Sequence, residues 1–337
     1  MTVAAPAAPL SAGLGVLRSP AVRLIGKRLL MAVPIMLGTS ILAFWVLSLI
    51  PGSGAQQLLG PEATPEQVRQ FEQELGLDRP GPLRYLDWLR GAVTGDLGTS
   101  PVSGQRVSAQ LGPRLAVSGE LMLLAFGGSV LLAVGVALLA ARRPGGAVDR
   151  ISMFLATAGL SVANYVLALV LVLVFAVELN WLPAIGYHPL SDGLGPNLTS
   201  MLMPAVAIGF PLFCLYTRFL RGDLVEQLQS EHYVDTARAK GAGPWQVLLR
   251  HVFRNSSFGL ITVVGLNLGT VIGATVIIEQ IFALPGMGQL LLQAINNRDF
   301  VVVQGAVVVF ALVAVASNLV VDLLYAVLDP RIRYGSH

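Results

Sequence analysis

Apolar and polar stretches alternate along this chain. A helix needs about 20 apolar residues to cross the hydrocarbon core of a bilayer. Runs of about that length or longer occupy residues 29–50, 115–141, 151–177, 201–220, 258–282 and 301–328. Because helices satisfy their own backbone hydrogen bonds in lipid, the pattern predicts an all-α polytopic membrane protein with about six transmembrane helices.

Composition agrees with this interpretation. Of the 337 residues, 54% are hydrophobic and 12% are charged, and the mean hydropathy is +0.70. Ordinary soluble domains carry about 25% charged residues. The net charge of +3 does not indicate nucleic acid binding. The one cysteine, Cys214, lies in an apolar run and is expected to be a small buried side chain.

Basic residues predict the orientation of the chain. Lysine and arginine favour the cytoplasmic side of short loops. The two short segments between the third and fourth runs and between the fifth and sixth runs hold only Arg298. Both termini are therefore predicted to be cytoplasmic, together with the stretches where basic residues concentrate, which are residues 18–28, 142–150, 218–254 and 331–333.

The same pattern divides the chain into regions. Residues 1–28 are predicted to be a cytoplasmic leader. The run at 29–50 is longer than the core of a signal peptide, so it is predicted to be a retained first transmembrane helix. Residues 51–114 are predicted to be an extracytoplasmic loop region, which either contacts a partner or caps the spans. A five-helix core at 115–328 and a cytoplasmic tail at 329–337 follow.

The longest polar interruption in the C-terminal half is residues 230–255, here called the polar element. Its first part predicts a short helix that ends at Gly241-Ala242-Gly243-Pro244, because glycine ends helices and proline begins them. The second part predicts a helix with one apolar stripe, formed by Trp245, Leu248, Leu249, Val252 and Phe253. Such an element either docks into another protein or lies as a basic loop on lipid headgroups.

The polar element carries a family resemblance. TARAKGA followed by LLRHVFRN resembles the cytoplasmic coupling loop, here residues 221–256, of permease subunits of ABC importers, and most closely their dipeptide/oligopeptide branch. In that family the alanine–glycine core sits in a cleft of the ATPase subunit. His251 to Arg254 replace the general Ile-x-Leu-Pro ending, which suits the peptide branch. The coupling residues implied are Tyr233, Asp235, Thr236, Ala237, Arg238, Ala239, Lys240, Gly241 and Ala242.

The resemblance extends over nearly the whole chain from Lys27 onward. The opening span is similar, although Pro51-Gly52-Ser53-Gly54 replaces the usual Pro-Gly-Asp-Pro exit. Residues 75–100 resemble the external segment of peptide permeases. Residues 279–305 carry the family patterns Glu-x-Ile-Phe, Pro-Gly-x-Gly, Arg-Asp and Val-Val-Gln-Gly. The implied fold is that of a type I ABC importer permease.

The fifth run holds candidate helix-packing and gating residues. Gly265, Gly269 and Gly273 recur every four residues, which favours a close helix crossing that either moves during gating or is static. Pro285, Gly286 and Gly288 follow Glu279 and are assigned to the same role. Because ionisable residues in spans are often functional, Glu279 and Asp322 also leave open an ion-coupled secondary transporter.

Several motifs are absent from the sequence. It contains no GxxxxGK[ST] loop, no HExxH and no GxSxG. No catalytic residue and no metal site are therefore predicted, and the chain is not expected to be an enzyme.

The resemblance also implies an assembly and a cargo. The expected partners are a second homologous permease, two ATPase subunits, an external substrate-binding protein and membrane lipid, but no nucleic acid. This chain is expected to bind no cofactor, because ATP and Mg would lie on the ATPase subunits. The expected location is the cytoplasmic membrane of a bacterium. Di- or oligopeptides are the expected cargo, nickel chelates or another small solute stay open, and no substrate-binding residue is assigned.

Overall fold

The computed structural model describes residues 20–48, 59, 63–74 and 79–328, and these are almost entirely helical. The helices are α1 (Pro20–Ser48), α2 (Pro65–Glu74), α3 (Gly81–Val93), α4 (Val107–Arg142), α5 (Ala147–Leu160), α6 (Asn164–Leu171), α7 (Leu194–Ser230), α8 (His232–Ala239), α9 (Pro244–Gln246), α10 (Phe253–Ile281), α11 (Met287–Asn296) and α12 (Phe300–Leu328). Two π-helical segments, Val172–Glu178 and Val247–Val252, follow α6 and α9.

Two predicted regions lie wholly or mostly outside the described residues. The predicted tail at 329–337 is outside them, as is the Pro51–Gly54 exit of the first span. The predicted leader is described only from Pro20, where α1 begins.

The described residues contain three to five candidate membrane spans. Besides the three straight helices there are two bent pairs, formed by Ala147–Leu160 with Asn164–Glu178 and by Pro244–Gly269 with Val271–Ile281. The first predicted span appears as a shorter apolar helix over Leu30–Val46 within α1. This confirms an all-helical polytopic architecture, whose straight candidate spans are Val107–Arg142, Leu194–Ser230 and Phe300–Leu323.

Large apolar side chains cover the outside of these helices. Leu123 and Leu131 on α4 are 77% and 76% exposed, and Phe154 on α5 is 72% exposed. Water would disfavour so much exposed apolar surface, whereas lipid does not. The outward face of the bundle therefore matches a lipid environment.

The central contact of the bundle is the pairing of α4 with α7. Along α4, a buried small residue recurs every four positions, at Ala125, Ser129, Ala133 and Ala137. A Cβ on Gly209 of α7 would lie 2.7 Å from the carbonyl oxygen of Ala125, so the two backbones nearly touch. Small residues permit such a close approach between membrane helices.

The fourth apolar run forms α7, and two prolines lie inside it. Proline usually interrupts a helix, but α7 continues through Pro204 and Pro211 as one helix from Leu194 to Ser230. Pro204 is buried against the neighbouring helices and Pro211 is half-buried. Packing against neighbours compensates for the backbone hydrogen bonds that proline removes.

The third apolar run, predicted to be one span over residues 151–177, is bent and is not one straight helix. Helices α5 and α6 meet at an angle of 105°. The Thr157 and Ser161 hydroxyls donate to the carbonyls of Met153 and Thr157, at 2.8 and 3.4 Å. Hydroxyls that bond the preceding turn favour a bend, and residues 161–163 after α5 are not helical.

The described part of the loop region at 51–114 packs on the ends of α1 and α12. The hydroxyls of Ser40 on α1 and Tyr85 on α3 lie 2.8 Å apart. The guanidinium of Arg84 lies 5.7 Å from the centroid of the Phe44 ring. Ser100 donates a hydrogen bond to the carboxylate of Asp299, just before α12. This segment therefore forms a structured cap on that end of the bundle.

The glycine ridge of α10 has two different environments. A Cβ on Gly265 would overlap the side chain of Val321 on α12, so this glycine permits a close crossing of two helices. Gly269 and Gly273 are exposed, and a Cβ on either would meet nothing within 4 Å. Within this chain, only the first of the three predicted glycines is a packing contact.

We expect Gly265→Ala to destabilise the chain by about 1–3 kcal/mol, because valine is stiff and the added methyl group overpacks the crossing. Thermal unfolding of the purified chain in mild detergent measures the effect. Gly269→Ala is the matched control and should not lower the melting temperature. Equal melting temperatures for the two variants would contradict the close crossing at Gly265.

Candidate functional site

The polar element is carried by the end of α7. This helix has 37 residues. At 1.5 Å per residue it is about 55 Å long, which exceeds the hydrocarbon thickness of about 30 Å. Its last turns therefore extend beyond the apolar layer, and α8 begins two residues after α7 ends.

The short helix α8 ends in a Schellman motif. The amide of Ala242 donates to the carbonyl of Ala237 at 3.1 Å, and the amide of Gly241 donates to Arg238 at 2.9 Å. These are the two bonds that define the motif, which places a residue with positive φ just past the helix end. Gly241 has a φ of +83°. A Cβ there would meet nothing within 4 Å, so backbone conformation and not crowding favours glycine.

The predicted coupling residues divide into two sets. Ala237 is buried, together with Val234, against this chain's own bundle. Tyr233 and Ala242 are half-buried. Ala237 is therefore not part of the exposed surface. That surface consists of Asp235, Thr236, Arg238, Ala239, Lys240 and Gly241.

Side-chain hydrogen bonds fix α8 to two long helices. The Tyr233 hydroxyl donates to Oε1 of Gln227 on α7 at 2.7 Å. Nε2 of Gln227 then donates to Oδ2 of Asp223 and to the hydroxyl of Ser256 on α10, each at 3.0 Å. Ser256 is fully buried. This network joins α7, α8 and α10, so the exposed surface of α8 has a rigid mount.

The second half of the polar element differs from the predicted stripe. Leu248 and Val252 are buried as expected, but Leu249 is 48% exposed and Val247 is buried instead. Residues Val247–Val252 form a π-helix. Its i→i+5 bonding places more residues in each turn than an α-helix does, which changes the face that each residue occupies.

The turn between α4 and α5 lies beside the polar element. The guanidinium of Arg142, the last residue of α4, lies 5.0 Å from the centroid of the Trp245 ring. A cavity of about 550 Å³ lies between the turn and the element, and Arg142, Pro144, Arg238 and Pro244 are among its lining residues. The polar element is therefore in contact with α4 as well as with α7 and α10.

The structure brings Glu279, Gly286 and Gly288 together at the other end of α10. Glu279 is fully buried and accepts hydrogen bonds from the Ser118 hydroxyl at 2.6 Å and from the amides of Gly288 and Gln289 at 2.7 and 3.1 Å. A Cβ on Gly286 would overlap the Glu279 carboxylate. The carboxylate thus binds the N-terminus of α11, where free amides and the helix dipole favour negative charge. Pro285 lies in the turn between α10 and α11, which brings the start of α11 back to Glu279.

Two further polar clusters were not predicted from the sequence. The Tyr187 hydroxyl and Nδ2 of Asn197 donate to the two carboxylate oxygens of Glu120, at 2.9 and 2.6 Å. Burial and the bond to Glu120 raise the pKa of Tyr187 to about 12, so the phenol keeps its proton at neutral pH. Glu120 could have been noticed as a lone carboxylate in an apolar run, although its partners could not.

The second missed cluster is an ion pair between Asp149 and Arg221. Arg221 donates from Nε and Nη2 to the two oxygens of Asp149, at 2.7 and 2.6 Å. In the sequence, Arg221 is only one of several basic residues on the predicted cytoplasmic side. Asp149 also lies near other arginines, each of which is an equally good candidate for its partner.

Within the described residues, no group of three or more His, Cys, Asp or Glu side chains could hold a metal ion. An all-helical bundle with several candidate spans, and with a rigidly mounted exposed helix end beyond them, defines a membrane-embedded protein.

Comparison with known proteins identifies the family. Residues 133–334 match the family described as binding-protein-dependent transport system inner membrane component. Residues 21–106 match the N-terminal region of such membrane components. The chain belongs to this family of ABC transporter permeases, which confirms the predicted inner-membrane permease and makes it a transport component and not an enzyme. Membership implies a binding protein and an ATPase as partners.

Full-length relatives agree. A "probable peptide ABC transporter permease protein" of Sinorhizobium fredii is 36% identical over 312 residues, which cover 91% of this chain and 98% of the relative. A dipeptide transport system permease of Alkalihalophilus pseudofirmus is 34% identical over 328 residues, with 91% and 98% covered. A glutathione transport system permease of Escherichia coli is 34% identical over 308 residues, with the same coverage.

We expect Glu279→Ala to destabilise the chain by about 2–4 kcal/mol, because it leaves amides at the start of α11 without their charged acceptor. Thermal unfolding in detergent measures the loss. The melting temperature of Glu279→Gln should lie between those of the wild type and Glu279→Ala, since glutamine keeps one acceptor oxygen. Gln280→Ala is the control, because Gln280 is exposed. A Glu279→Ala variant as stable as the control would show that the carboxylate does not hold this turn.

Proposed function

We propose that this chain is one of two homologous permease subunits in an importer that moves di- or oligopeptides across the cytoplasmic membrane. The second permease, two ATPase subunits and an external substrate-binding protein would complete the complex. ATP and Mg would be bound by the ATPase subunits and by no group of this chain. The names of the relatives, which include peptide, dipeptide and glutathione transporters, support a peptide cargo.

The observation that carries this proposal is the rigid, exposed end of α8. A partner can bind the surface of Asp235, Thr236, Ala239, Lys240 and Gly241 without any rearrangement of this chain. Tyr233, Gln227 and Ser256 then hold that surface to α7 and α10. Movement of the docked partner would therefore move two spans together as a rigid body, which is the requirement for alternating access.

The proposed topology has six spans, with the type I permease fold and both termini cytoplasmic. The three straight candidate spans, the two bent pairs and the shorter apolar helix in α1 would together supply six crossings. The contact of Arg142 with Trp245 puts the α4–α5 turn and the polar element, both rich in basic residues, at the same end of the bundle. The positive-inside rule favours the cytoplasmic side for that end.

The proposed regions follow from this topology. They are the leader at 1–28, the first span at 29–50, the extracytoplasmic region at 51–114, the core at 115–328 with its coupling loop at 221–256, and the tail at 329–337. Gly265, Gly269 and Gly273 belong to the core, where the two exposed glycines would allow another helix to approach.

Purification of the tagged chain from its native membrane in mild detergent tests the assembly, and the proteins that accompany it are identified by mass spectrometry. The expected partners are an ATPase, a second permease and a binding protein. The complex is then reconstituted in proteoliposomes and offered dialanine, trialanine, pentaalanine and glutathione. ATP-dependent accumulation of any of these supports the proposal. Transport by the chain alone, driven by an ion gradient without ATP, would favour a secondary transporter instead.

A nickel chelate is the other cargo to be tested. Nickel–histidine is offered to the same proteoliposomes. Accumulation of nickel with ATP, and of none of the four peptides, would keep the importer and overturn the peptide cargo.

We expect Gly241→Asp to leave expression and assembly of the bundle intact but to abolish uptake, because a charged side chain would project from the docking surface. Gly104→Asp is the matched control. Gly104 also has a positive φ, of +69°, with nothing within 4 Å of a Cβ, and it is exposed in the loop before α4. Because both substitutions place a side chain at a positive φ, Gly104→Asp controls for backbone strain and should keep normal uptake. Normal uptake by Gly241→Asp would exclude docking there.

A further inference from the structure

The ion pair between Asp149 and Arg221 links elements that are 72 residues apart in the sequence. Asp149 is 4% exposed and lies in the first turn of α5, and the side chain of Arg221 on α7 is 24% exposed. A planar guanidinium that bonds both carboxylate oxygens fixes orientation as well as distance. The pair therefore restrains α7 from rotating against α5 as well as from moving away from it.

The same carboxylate also holds the turn that precedes α5. The amide of Gly145 donates to Oδ2 of Asp149 at 2.8 Å. Gly145 has a φ of +78°, and the amide of Gly146 donates to the carbonyl of Arg143 at 3.0 Å. Because this tight turn begins directly after α4, Asp149 connects α4, α5 and α7 at one point.

The pair is close to the polar element along α7. From Arg221, α7 continues for fewer than three turns to Ser230, where the element begins. Gln227, in those turns, belongs to the network that fixes α8. Arg142 at the end of α4 contacts Trp245 of the polar element, and both of those side chains are exposed. An exposed cation–π contact is weak.

Stability alone does not explain a buried ion pair. Charges lose hydration when they are buried, and well-packed apolar residues are often as stabilising in the same place. Unlike an apolar contact, an arginine–carboxylate pair is directional, so it resists sliding and rotation. Those are the displacements that a docked partner would impose on α7.

We propose that the Asp149–Arg221 pair is the joint through which movement of the polar element reaches α4 and α5, so that ATP hydrolysis by the partner is coupled to movement of these spans. This inference rests on the proposed function. Neither residue is placed at a substrate or nucleotide, so both are positioning residues. If the joint is lost, the polar element still docks and the partner still hydrolyses ATP, but α4 and α5 follow α7 less closely, because only their packing against α7 remains.

The test uses the complete transporter in proteoliposomes with its binding protein and the four peptides named above. The decisive variant is Asp149→Asn with Arg221→Met. Asparagine retains an acceptor for the Gly145 amide. Because the double variant removes both charges, no buried charge is left without a partner. Arg221→Lys keeps the charge but loses the two-bond geometry. Arg218→Met, on an exposed position of the same helix, is the matched control.

The quantity measured is the number of ATP molecules hydrolysed for each peptide imported. We expect this ratio to rise about tenfold in the double variant, a typical size for coupling between sites. It should rise less in Arg221→Lys and stay unchanged in Arg218→Met. The ratio does not depend on how much folded transporter is present, so poor expression alone cannot raise it.

An unchanged ratio in the double variant, with ATP-driven uptake intact in the wild type, would overturn the joint and leave the proposed function standing. A parallel fall in hydrolysis and uptake at constant ratio would show a purely structural role and would also overturn it. If the double variant does not assemble, Arg221→Lys decides the matter by the same ratio. Absence of ATP-driven uptake of all four peptides in the wild type would instead contradict the proposed peptide importer.

Discussion

The close packing of α4 against α7 is the constraint on which the other helices depend. In lipid, no hydrophobic force drives helices together, so association relies on contact between small residues and on hydrogen bonds. Ala125, Ser129, Ala133 and Ala137 supply that surface on α4, and Gly209 supplies it on α7. Because α7 is held along its length in this way, it remains one helix through two prolines and can present α8 beyond the bundle.

Polar contacts are concentrated at the ends of this helix pair. Ser118 and Glu120 lie in the first half of α4, where they bond to Glu279 and to Tyr187 and Asn197. Asp149 follows the other end of α4 and bonds to α7. Buried polar groups are costly unless they are satisfied, and each of these has a partner at hydrogen-bonding distance. The middle of the pair is close-packed and mostly apolar, although Ser129, Tyr216 and Thr217 are buried there as well.

Much of the architecture follows from local sequence. The apolar runs predict the helices because crossing a bilayer sets their length. The break at Gly241 is predictable because only a residue that tolerates positive φ suits a Schellman ending. The grouping of Glu279 with Gly286 and Gly288 follows from their spacing around a turn. Each of these features depends on residues that are near one another in the chain.

The features that were missed depend on distant residues or on small changes in helix geometry. The 105° bend after α5 depends on hydroxyl bonds within an otherwise apolar run. The π-helix at Val247–Val252 moves Leu249 to the surface, which a stripe drawn with α-helical spacing does not anticipate. Ala237 faces its own bundle, and Asp149 meets Arg221, only because tertiary packing brings those elements together.

The continuity of α7 has a consequence for the two sides of the membrane. Its first turns carry Asn197 and Ser200, which hold the backbone of His188 and the loop around Tyr187, and its last turns carry the mount of α8. A helix is stiff along its axis because successive turns are hydrogen-bonded, and in α7 the packing of neighbours supports the turns where the two prolines remove such bonds. If the ATPase docks on α8 as proposed, a tilt imposed there would displace the opposite end of the bundle at the same moment, because α7 itself spans both ends.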